Sequence, residues 1–284
     1  MHNFKTKPFQ SIINLIVVVF AVVFIVQEVS WWLIPGYEPD YYEGLPDEVE
    51  VLDDSIIEFL EAVPSTPEMF LPGYGNREIS VEFNEDDYSE VLSANDIYSK
   101  SLDSIVYINT ADEFGLLGFG SGSVIGSNGI ILTNYHVISE ADKIVVTFSD
   151  KSNHAVTDVV YIDEKKDIAI LKIDAENLQT LALGLLDEVS IGDKTYVIGH
   201  PENFLFTLSE GLVSGIREFI ETGEGKQIQI TNPISGGSSG GALLNDKGEL
   251  IGITTSSFEY DENSVSVQNI NFAVPMDEIY ETLL

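Results

Sequence analysis

The order of apolar and polar residues divides the chain into three parts. Near the N-terminus lies an apolar run, Ile12 to Val26, whose only polar member is Asn14. Residues 37–94 are rich in acidic residues and proline and contain one short amphipathic stretch, Val49 to Val63. From residue 95 onward, short apolar or alternating runs are separated by Gly, Asn and Asp. This last pattern is typical of short strands joined by turns.

Residues 95–284 are predicted to form an all-β domain, because the short strands are not regularly separated by helices, which favours a barrel or a sandwich. Asn128-Gly129 between two apolar runs predicts a β-hairpin whose tight turn has two residues with positive φ. Short helices are predicted near Asn95 to Leu102 and after Pro275. Further predicted strands are Ile144–Phe148, Val156–Ile162, Ile168–Ile173, Thr195–Ile198, Leu205–Ile216, Gln227–Thr231, Ala242–Leu244, Leu250–Thr254 and Ile270–Val274.

The apolar run is predicted to be a signal anchor within residues 1–36. A helix from about Phe9 to Ile34 is long enough to cross a membrane, with Trp31 and Trp32 at the interface. Lysines before the run and acidic residues after it place the bulk of the chain outside the cytoplasm, in the periplasm or the extracellular space. A cleaved signal peptide would leave a secreted protein, but no pair of small residues marks a cleavage site. A buried core helix is a further alternative.

Residues 37–94 are predicted to form an acidic linker. The stretch from Tyr37 to Asp96 contains 18 acidic residues and one basic residue, and six of the ten prolines lie between Pro35 and Pro72. Proline and like charges favour extended chain over long helices. The run Glu85-Asp86-Asp87 lacks the spaced oxygen ligands and central glycine of a calcium loop, so we expect no bound metal.

The composition restricts the chemistry further. The 284 residues include 47 Asp and Glu against 13 Lys and Arg, a formal net charge of −34. This charge repels phosphate backbones, so we expect no nucleic-acid partner. The chain contains no cysteine, which excludes disulfides, a thiolate nucleophile and cysteine-ligated metals. We expect no cofactor, and serine becomes the nucleophile to look for.

The segment Ser235-Gly236-Gly237-Ser238-Ser239-Gly240-Gly241 carries the strongest sign of chemistry. Glycines around a serine allow a sharp turn that brings two backbone N–H groups beside the serine oxygen, as acyl transfer requires for a developing oxyanion. A flexible glycine-serine loop is the plain alternative.

A serine nucleophile needs a base, and the chain has four histidines. His136 follows an apolar strand, where a side chain can be held rigidly. The other three lie elsewhere: His2 before the apolar run, His154 in a polar turn and His200 in Gly-His-Pro. The orienting carboxylate is predicted at Asp167, which opens an apolar strand. Purely structural roles for both residues are the alternatives.

Together these segments resemble the trypsin-like serine proteases, most closely the HtrA/Do-like branch, over residues from about Asn95 to Leu284. The resemblance rests on the shared order and spacing of the segments. They are Gly120-Ser121-Gly122-Ser123, Thr133-Asn134-Tyr135-His136-Val137, Asp167-Ile168-Ala169-Ile170-Leu171, Gly211-Leu212-Val213-Ser214-Gly215-Ile216, Gly237-Ser238-Ser239-Gly240-Gly241, Gly248-Glu249-Leu250-Ile251-Gly252-Ile253 and Asn271-Phe272-Ala273-Val274-Pro275.

The resemblance implies a double six-stranded β-barrel with a catalytic triad in the cleft between the barrels. Ser239 would be the nucleophile, His136 the general base and acid, and Asp167 the orienting carboxylate. The N–H groups of Gly237 and Ser239 would form the oxyanion hole.

The resemblance also implies how a substrate would bind. The strand Ile253-Thr254-Thr255 would pair with the substrate backbone. Pro233 occupies the position where members specific for Arg or Lys carry Asp. We therefore expect no preference for basic side chains before the cut bond, and a small or medium apolar residue there instead.

The predicted function is a membrane-anchored, extracytoplasmic serine endopeptidase that cleaves protein or peptide substrates, in protein quality control or regulated proteolysis. HtrA-like relatives usually continue into PDZ domains, and we expect none here. The residues before Asn95 do not match the segments that trimerise relatives, so a homo-oligomer is unsupported. The alternatives are a non-catalytic binding or regulatory module with the same fold and nucleotide binding through Gly118-Phe119-Gly120-Ser121-Gly122, whose spacing departs from G-x-G-x-x-G.

Overall fold

Two closed β-barrels of six antiparallel strands make up most of what the computed structural model describes, residues 54–63, 90–257 and 269–283. The predicted all-β fold with two six-stranded barrels is therefore confirmed. The predicted anchor and most of the predicted linker, with its acidic run, lie outside the described residues. Of the helices that are described, none combines the length and the apolar character needed to cross a bilayer.

The first barrel contains β1 (Ile105–Ala111), β2 (Leu117–Gly126), β3 (Ile130–Thr133), β4 (Lys143–Thr147), β5 (Asn153–Asp163) and β6 (Ile168–Ile173). Around the barrel their order is β1-β2-β3-β6-β5-β4. Strand β1 is missing from the strands predicted by the pattern. All seven of its residues are buried, so its sequence lacks the alternation of a half-exposed strand.

The second barrel contains β7 (Lys194–Gly199), β8 (Thr207–Phe219), β9 (Gly225–Ile230), β10 (Ala242–Leu244), β11 (Leu250–Ser257) and β12 (Asn271–Pro275). The order around the barrel is β10-β11-β12-β9-β8-β7. All six match predicted strands to within a few residues at each end.

A layer of buried apolar side chains joins the two barrels. Ile105, Leu132 and Ile168 of the first barrel belong to the same buried cluster as Ile198 and Leu244 of the second. Burying one such side chain contributes about 1.5–3 kcal/mol, so the barrels are fixed against each other. The loops at the edge of this layer therefore keep a defined relative position, and the candidate site lies there.

Within the described residues, four α-helices flank the barrels: α1 (Asp54–Ala62), α2 (Ala94–Ser101), α3 (Tyr135–Ile138) and α4 (Met276–Leu283). Helices α2 and α4 match the two predicted helices, and the Oγ of Ser93 caps α2 by accepting a hydrogen bond from the N–H of Asp96. Helix α1 lies within the amphipathic stretch noted in the linker. Its apolar face packs against Ala111 and Val145 of the first barrel, and the Nζ of Lys143 donates to the carbonyl of Leu60 at 3.1 Å.

The β2–β3 hairpin is confirmed, but its turn differs from the predicted one. Only Gly129 has a positive φ, of 87°, and its N–H donates to the carbonyl of Gly126 at 3.0 Å. The strand register also shifts beside this turn. The connection is thus a longer turn with a glycine bulge, a hairpin type that needs one positive-φ residue instead of two. A Cβ at Gly129 would lie 2.4 Å from the carbonyl oxygen of Ile173.

Candidate active site

His136 and Asp167 of the first barrel form a hydrogen-bonded pair. His136 lies on α3, directly after β3, and Asp167 directly precedes β6, the strand that pairs with β3. The Nδ1 of His136 is 2.8 Å from Oδ2 of Asp167, and the backbone N–H of His136 donates to Oδ1 at 2.9 Å. Both carboxylate oxygens hold the histidine, so its Nε2 faces away from Asp167.

Two further residues position Asp167, whose φ of 58° lies in the left-handed region that Asp tolerates better than most residues. The Nδ2 of Asn134 donates to the backbone carbonyl of Asp167 at 2.8 Å. The Oγ1 of Thr255 donates to Oδ2 at 2.6 Å. Sequence reasoning missed both contacts. The contact of Asn134 could have been suspected because Asn134 lies two residues before His136. The contact of Thr255 had no such signal, because Thr255 lies 88 residues from Asp167 in the chain.

Ser239 lies on the loop between β9 and β10 and reaches the same cleft as His136, a cavity of about 410 Å³ between the barrels. In this structure its Oγ donates to the carbonyl of Thr255 at 3.3 Å, and the described hydrogen bonds include none between Ser239 and His136. Rotation about the Cα–Cβ bond redirects the hydroxyl, and such bonds are often long or absent in unliganded sites. Among the described residues, no cluster of acidic or histidine side chains could hold a metal ion.

The backbone around Gly237 presents two N–H groups beside Ser239. Gly237 has a φ of 86°, and a Cβ there would lie 2.4 Å from the carbonyl oxygen of His200, so the position requires glycine. The carbonyl of Gly236 accepts a hydrogen bond from the N–H of Glu202 at 2.6 Å. The N–H of Gly237 belongs to the same peptide group and therefore points the opposite way. Within the described part of the chain, neither Gly237 nor Ser239 donates its N–H to a protein acceptor.

The first barrel also holds this loop in place. The Oγ of Ser121 donates to the carbonyl of Gly237 at 2.7 Å, and the N–H of Ser121 donates to the carbonyl of Ser239 at 2.8 Å. Ser238 is buried, and its carbonyl accepts a hydrogen bond from Oγ1 of Thr254 at 2.5 Å. The loop that carries the nucleophile candidate is thus fixed by contacts with both barrels.

His200 is fully buried and packs against the loop that carries Ser239. Its Nδ1 accepts a hydrogen bond from the N–H of Phe206 at 3.0 Å, and its ring meets the rings of Tyr107 and Phe206 edge-on. Burial lowers the pKa of His200 to about 3, and a hydrogen bond with the backbone of Val106 acts in the opposite direction. The ring is therefore neutral at physiological pH.

The structure corrects the predicted substrate-pairing segment. Ile253 and Thr254 are fully buried and lie in the part of β11 that pairs with β10 and β12. They have no free edge to offer a substrate. The pairing with β12 shifts between Thr254 and Ser257, so the backbone of β11 diverges there, and Thr255 is the predicted residue that remains beside Ser239.

Pro233 is not among the residues that line the cleft. It is exposed and lines a separate cavity of about 130 Å³, together with Ser235 and Ser238 of the same loop and Pro201 and Thr207. The two cavities share no lining residue.

Comparisons with known proteins relate much of the chain to serine proteases. Residues 120–253 match the family described as the trypsin-like peptidase domain. "Serine endoprotease DegS" of Haemophilus influenzae is 38% identical over 184 residues, 64% of this chain and 53% of the relative. "Probable periplasmic serine endoprotease DegP-like" of Pseudomonas putida is 36% identical over 159 residues, 56% of this chain and 32% of the relative. This chain therefore spans between about a third and half of the length of these relatives.

A solved structure, "HtrA-type protease AlgW with tripeptide", superposes with a TM-score of 0.61 at 31% identity, covering 67% of this chain and 62% of that one. Residues 120–253, which match the family, include parts of both barrels and His136, Asp167 and Ser239. The chain is thus similar to the trypsin-like peptidase domain over residues 120–253, and the relatives and the solved structure that it matches are serine proteases.

Proposed function

We propose that the protein is a serine endopeptidase with Ser239 as the nucleophile, His136 as the general base and acid, and Asp167 as the orienting carboxylate. One observation carries the proposal. The hydrogen-bonded pair of His136 and Asp167 opens into the same cleft as Ser239, beside the unused N–H groups of Gly237 and Ser239.

The proposed reaction begins when Ser239 Oγ attacks the carbonyl carbon of a peptide bond and its proton passes to Nε2 of His136. The N–H groups of Gly237 and Ser239 stabilise the oxyanion of the tetrahedral intermediate. The C–N bond then breaks as His136 donates the proton to the leaving amine. A water molecule, deprotonated by His136, hydrolyses the acyl-enzyme and restores Ser239.

We further propose that the enzyme is anchored in a membrane through residues 9–34, with the protease domain on the extracytoplasmic side. The charge pattern of the N-terminal sequence supports this location, as does the periplasmic description of the Pseudomonas putida relative. Cleavage of misfolded or regulatory proteins would suit such a location. Pro233 lines the second cavity, beside Ser235 and Ser238 of the loop that carries Ser239, and brings no carboxylate to it. If this cavity receives the residue before the cut bond, we expect cleavage after small or medium apolar residues.

One observation favours a second candidate, a non-catalytic binding or regulatory module. The hydroxyl of Ser239 donates to Thr255 instead of His136. An inactive member of the fold would keep this arrangement permanently, whereas an enzyme leaves it when a substrate or inhibitor binds.

Labelling by a fluorophosphonate separates the two, because only an activated serine reacts readily. We expect the full chain to be labelled and to cleave a peptide library. Ser239→Ala should show neither reaction, and Ser190→Ala, which changes an exposed serine outside the cleft, should show both. Full peptide cleavage by Ser239→Ala would refute the proposed nucleophile, and absence of labelling in the unaltered chain would favour the non-catalytic module.

A further inference from the structure

The cleft that contains His136 and Ser239 extends towards the first barrel. It is lined by α3, the residues that follow α3, the loop at Gly236 and the β1–β2 hairpin. Neither Asp167 nor Thr255 lines it. The cleft thus lies on the side of the His136 and Ser239 pair that faces away from β11.

The chemistry identifies which part of a substrate would occupy this side. His136 delivers its proton to the amine that leaves, so the chain that follows the cut bond must lie beside the histidine. The acyl part lies on the other side of Ser239, towards Thr255. The cleft therefore receives the residues that follow the cut bond.

The wall of the cleft next to His136 is apolar. Phe119 and Val137 line it close to the catalytic residues, and Leu116 and Leu117 line it farther out. Leu116 is 73% exposed and the neighbouring Phe114 86% exposed. Exposed apolar side chains gathered beside a cleft are typical of a binding surface.

The rim of the same cleft is acidic. Asp112 lies on the β1–β2 hairpin, and Glu140 follows α3, and both line the cleft. Of the described residues that line the cleft, none is Lys or Arg. The Oδ1 of Asp112 accepts the N–H groups of Phe114 and Leu116 at 2.9 and 2.7 Å, so the position of this carboxylate is fixed.

The backbone of β2 offers an edge along the cleft. The N–H of Ser121 donates to Ser239 and its carbonyl accepts from Oγ1 of Thr133, so both groups point away from β1. Alternate residues of a strand point the same way, and the N–H and carbonyl of Phe119 therefore also face the cleft. Strand β3 begins to pair with β2 only at Ser123, which leaves this edge open to a peptide.

We infer that, given the proposed endopeptidase function, this half of the cleft selects substrates with an apolar residue directly after the cut bond and basic residues next to it. The apolar side chain packs against Phe119, Val137 and Leu116. The basic side chains lie near Asp112 and Glu140. Polypeptides rich in Lys and Arg after an apolar residue are thus the preferred substrate class.

The test uses two quenched fluorescent peptides that are identical before the cut bond. After it, one carries Leu followed by two Lys, and the other carries Leu followed by two Glu. We expect the full chain to cleave the Lys peptide roughly tenfold faster in kcat/KM at low ionic strength, from two weak ion pairs and the matching repulsions. The ratio should shrink in 1 M salt, where charges are screened beyond about 3 Å.

Matched variants locate the effect. Asp112→Asn keeps the oxygen that accepts the two N–H groups, and together with Glu140→Gln it should lower the Lys-to-Glu ratio to about one. Glu221→Gln removes one exposed carboxylate outside the cleft lining and should leave the ratio unchanged. Because both peptides are compared on one protein sample, partial unfolding of a variant cancels from the ratio.

The apolar part is tested with a third peptide in which Ser replaces the Leu after the cut bond. Leu116→Ser should reduce the preference for Leu over Ser several-fold, whereas Ile220→Ser, equally exposed but outside the cleft, should not. Equal cleavage of the Lys and Glu peptides, or the same ratio in the double variant, would overturn the inference and leave the protease assignment intact. Absence of both cleavage and fluorophosphonate labelling would instead refute the proposed function.

Discussion

The N–H of Glu202 donates a 2.6 Å hydrogen bond to the carbonyl of Gly236, and this bond determines which way the next N–H, that of Gly237, points. Glu202 adopts a φ of 49°, and Asn203 and Phe206 in the same loop also have positive φ. Such conformations cost energy in residues other than glycine and persist only where packing enforces them. Two contacts hold this loop in place: the ring of His200 is buried against it, and the hydroxyl of Tyr107 donates a hydrogen bond to Oδ1 of Asn203.

Replacing Gly237 tests the importance of this peptide orientation. In Gly237→Ala the new Cβ would collide with the carbonyl of His200, so we expect the peptide to shift and kcat to fall about 100-fold or more, as on loss of one oxyanion donor. Gly248→Ala is the matched control, since Gly248 has nearly the same φ, 84°, but its nearest neighbour to a new Cβ is 3.6 Å away. Equal kcat in the two variants would contradict this account.

Thr255 is expected to act as a positioning residue for Asp167. Thr255→Val keeps the shape but removes the hydroxyl that donates to Oδ2, and a hydrogen bond to a charged group contributes about 1.5–3 kcal/mol. We expect kcat to fall at least tenfold with little change in KM. Thr255→Ser should restore most of the activity, whereas Thr157→Val, which removes an exposed hydroxyl elsewhere in the first barrel, should have no effect. Failure of the Ser variant to restore activity would indicate a packing role instead.

Asp167 is the proposed orienting carboxylate and also has a left-handed backbone conformation, and two variants separate these two properties. Asp167→Asn tolerates the backbone but disturbs the tautomer of His136, so we expect kcat to fall about 10³- to 10⁴-fold with the fold intact. Asp167→Ala should lose similar activity and, in addition, about 1 kcal/mol of unfolding free energy from the strained φ. Urea unfolding followed by far-UV circular dichroism measures the difference in unfolding free energy between the two variants. Equal stabilities of the two variants would argue against strain at this position.

His200 should make the fold sensitive to acid. Its pKa is about 3 when folded and about 6.5 when unfolded, so between these values the unfolded chain binds the extra proton. The contribution of neutral His200 to the unfolding free energy is fully present above pH 6.5. As the pH falls from 6.5 towards 3, the unfolding free energy decreases by up to about 1.4 kcal/mol per pH unit.

Unfolding free energies measured between pH 7.5 and 5.5 test this expectation. His200→Gln retains an acceptor for the N–H of Phe206 but cannot titrate, so its stability should change less over this range than that of the unaltered chain. His154→Gln, which alters a partly exposed histidine, should retain the original slope. Parallel slopes for all three proteins would exclude His200 as the source.

Some contacts of the candidate site could be anticipated from sequence and others could not. His136 and Asp167 each adjoin a strongly apolar strand, and β3 and β6 pair with each other, so local pattern and strand pairing together bring them close. The contacts of Glu202, Ser121 and Thr255 with the site have no local signature. Each joins segments far apart in the chain, and each uses a backbone group that any residue could supply or a hydroxyl that is common on strands.

The sequence by itself determined the all-β class, most of the strands, and the set of residue types that acyl transfer needs, because strand periodicity and glycine-rich turns are local properties. Only the tertiary structure decided that β1 closes the first barrel, that Ile253 and Thr254 are buried, and that Pro233 lies away from the cleft. The reason is physical: burial on both faces, the register of pairing and the direction of a peptide group depend on neighbours that are distant in sequence.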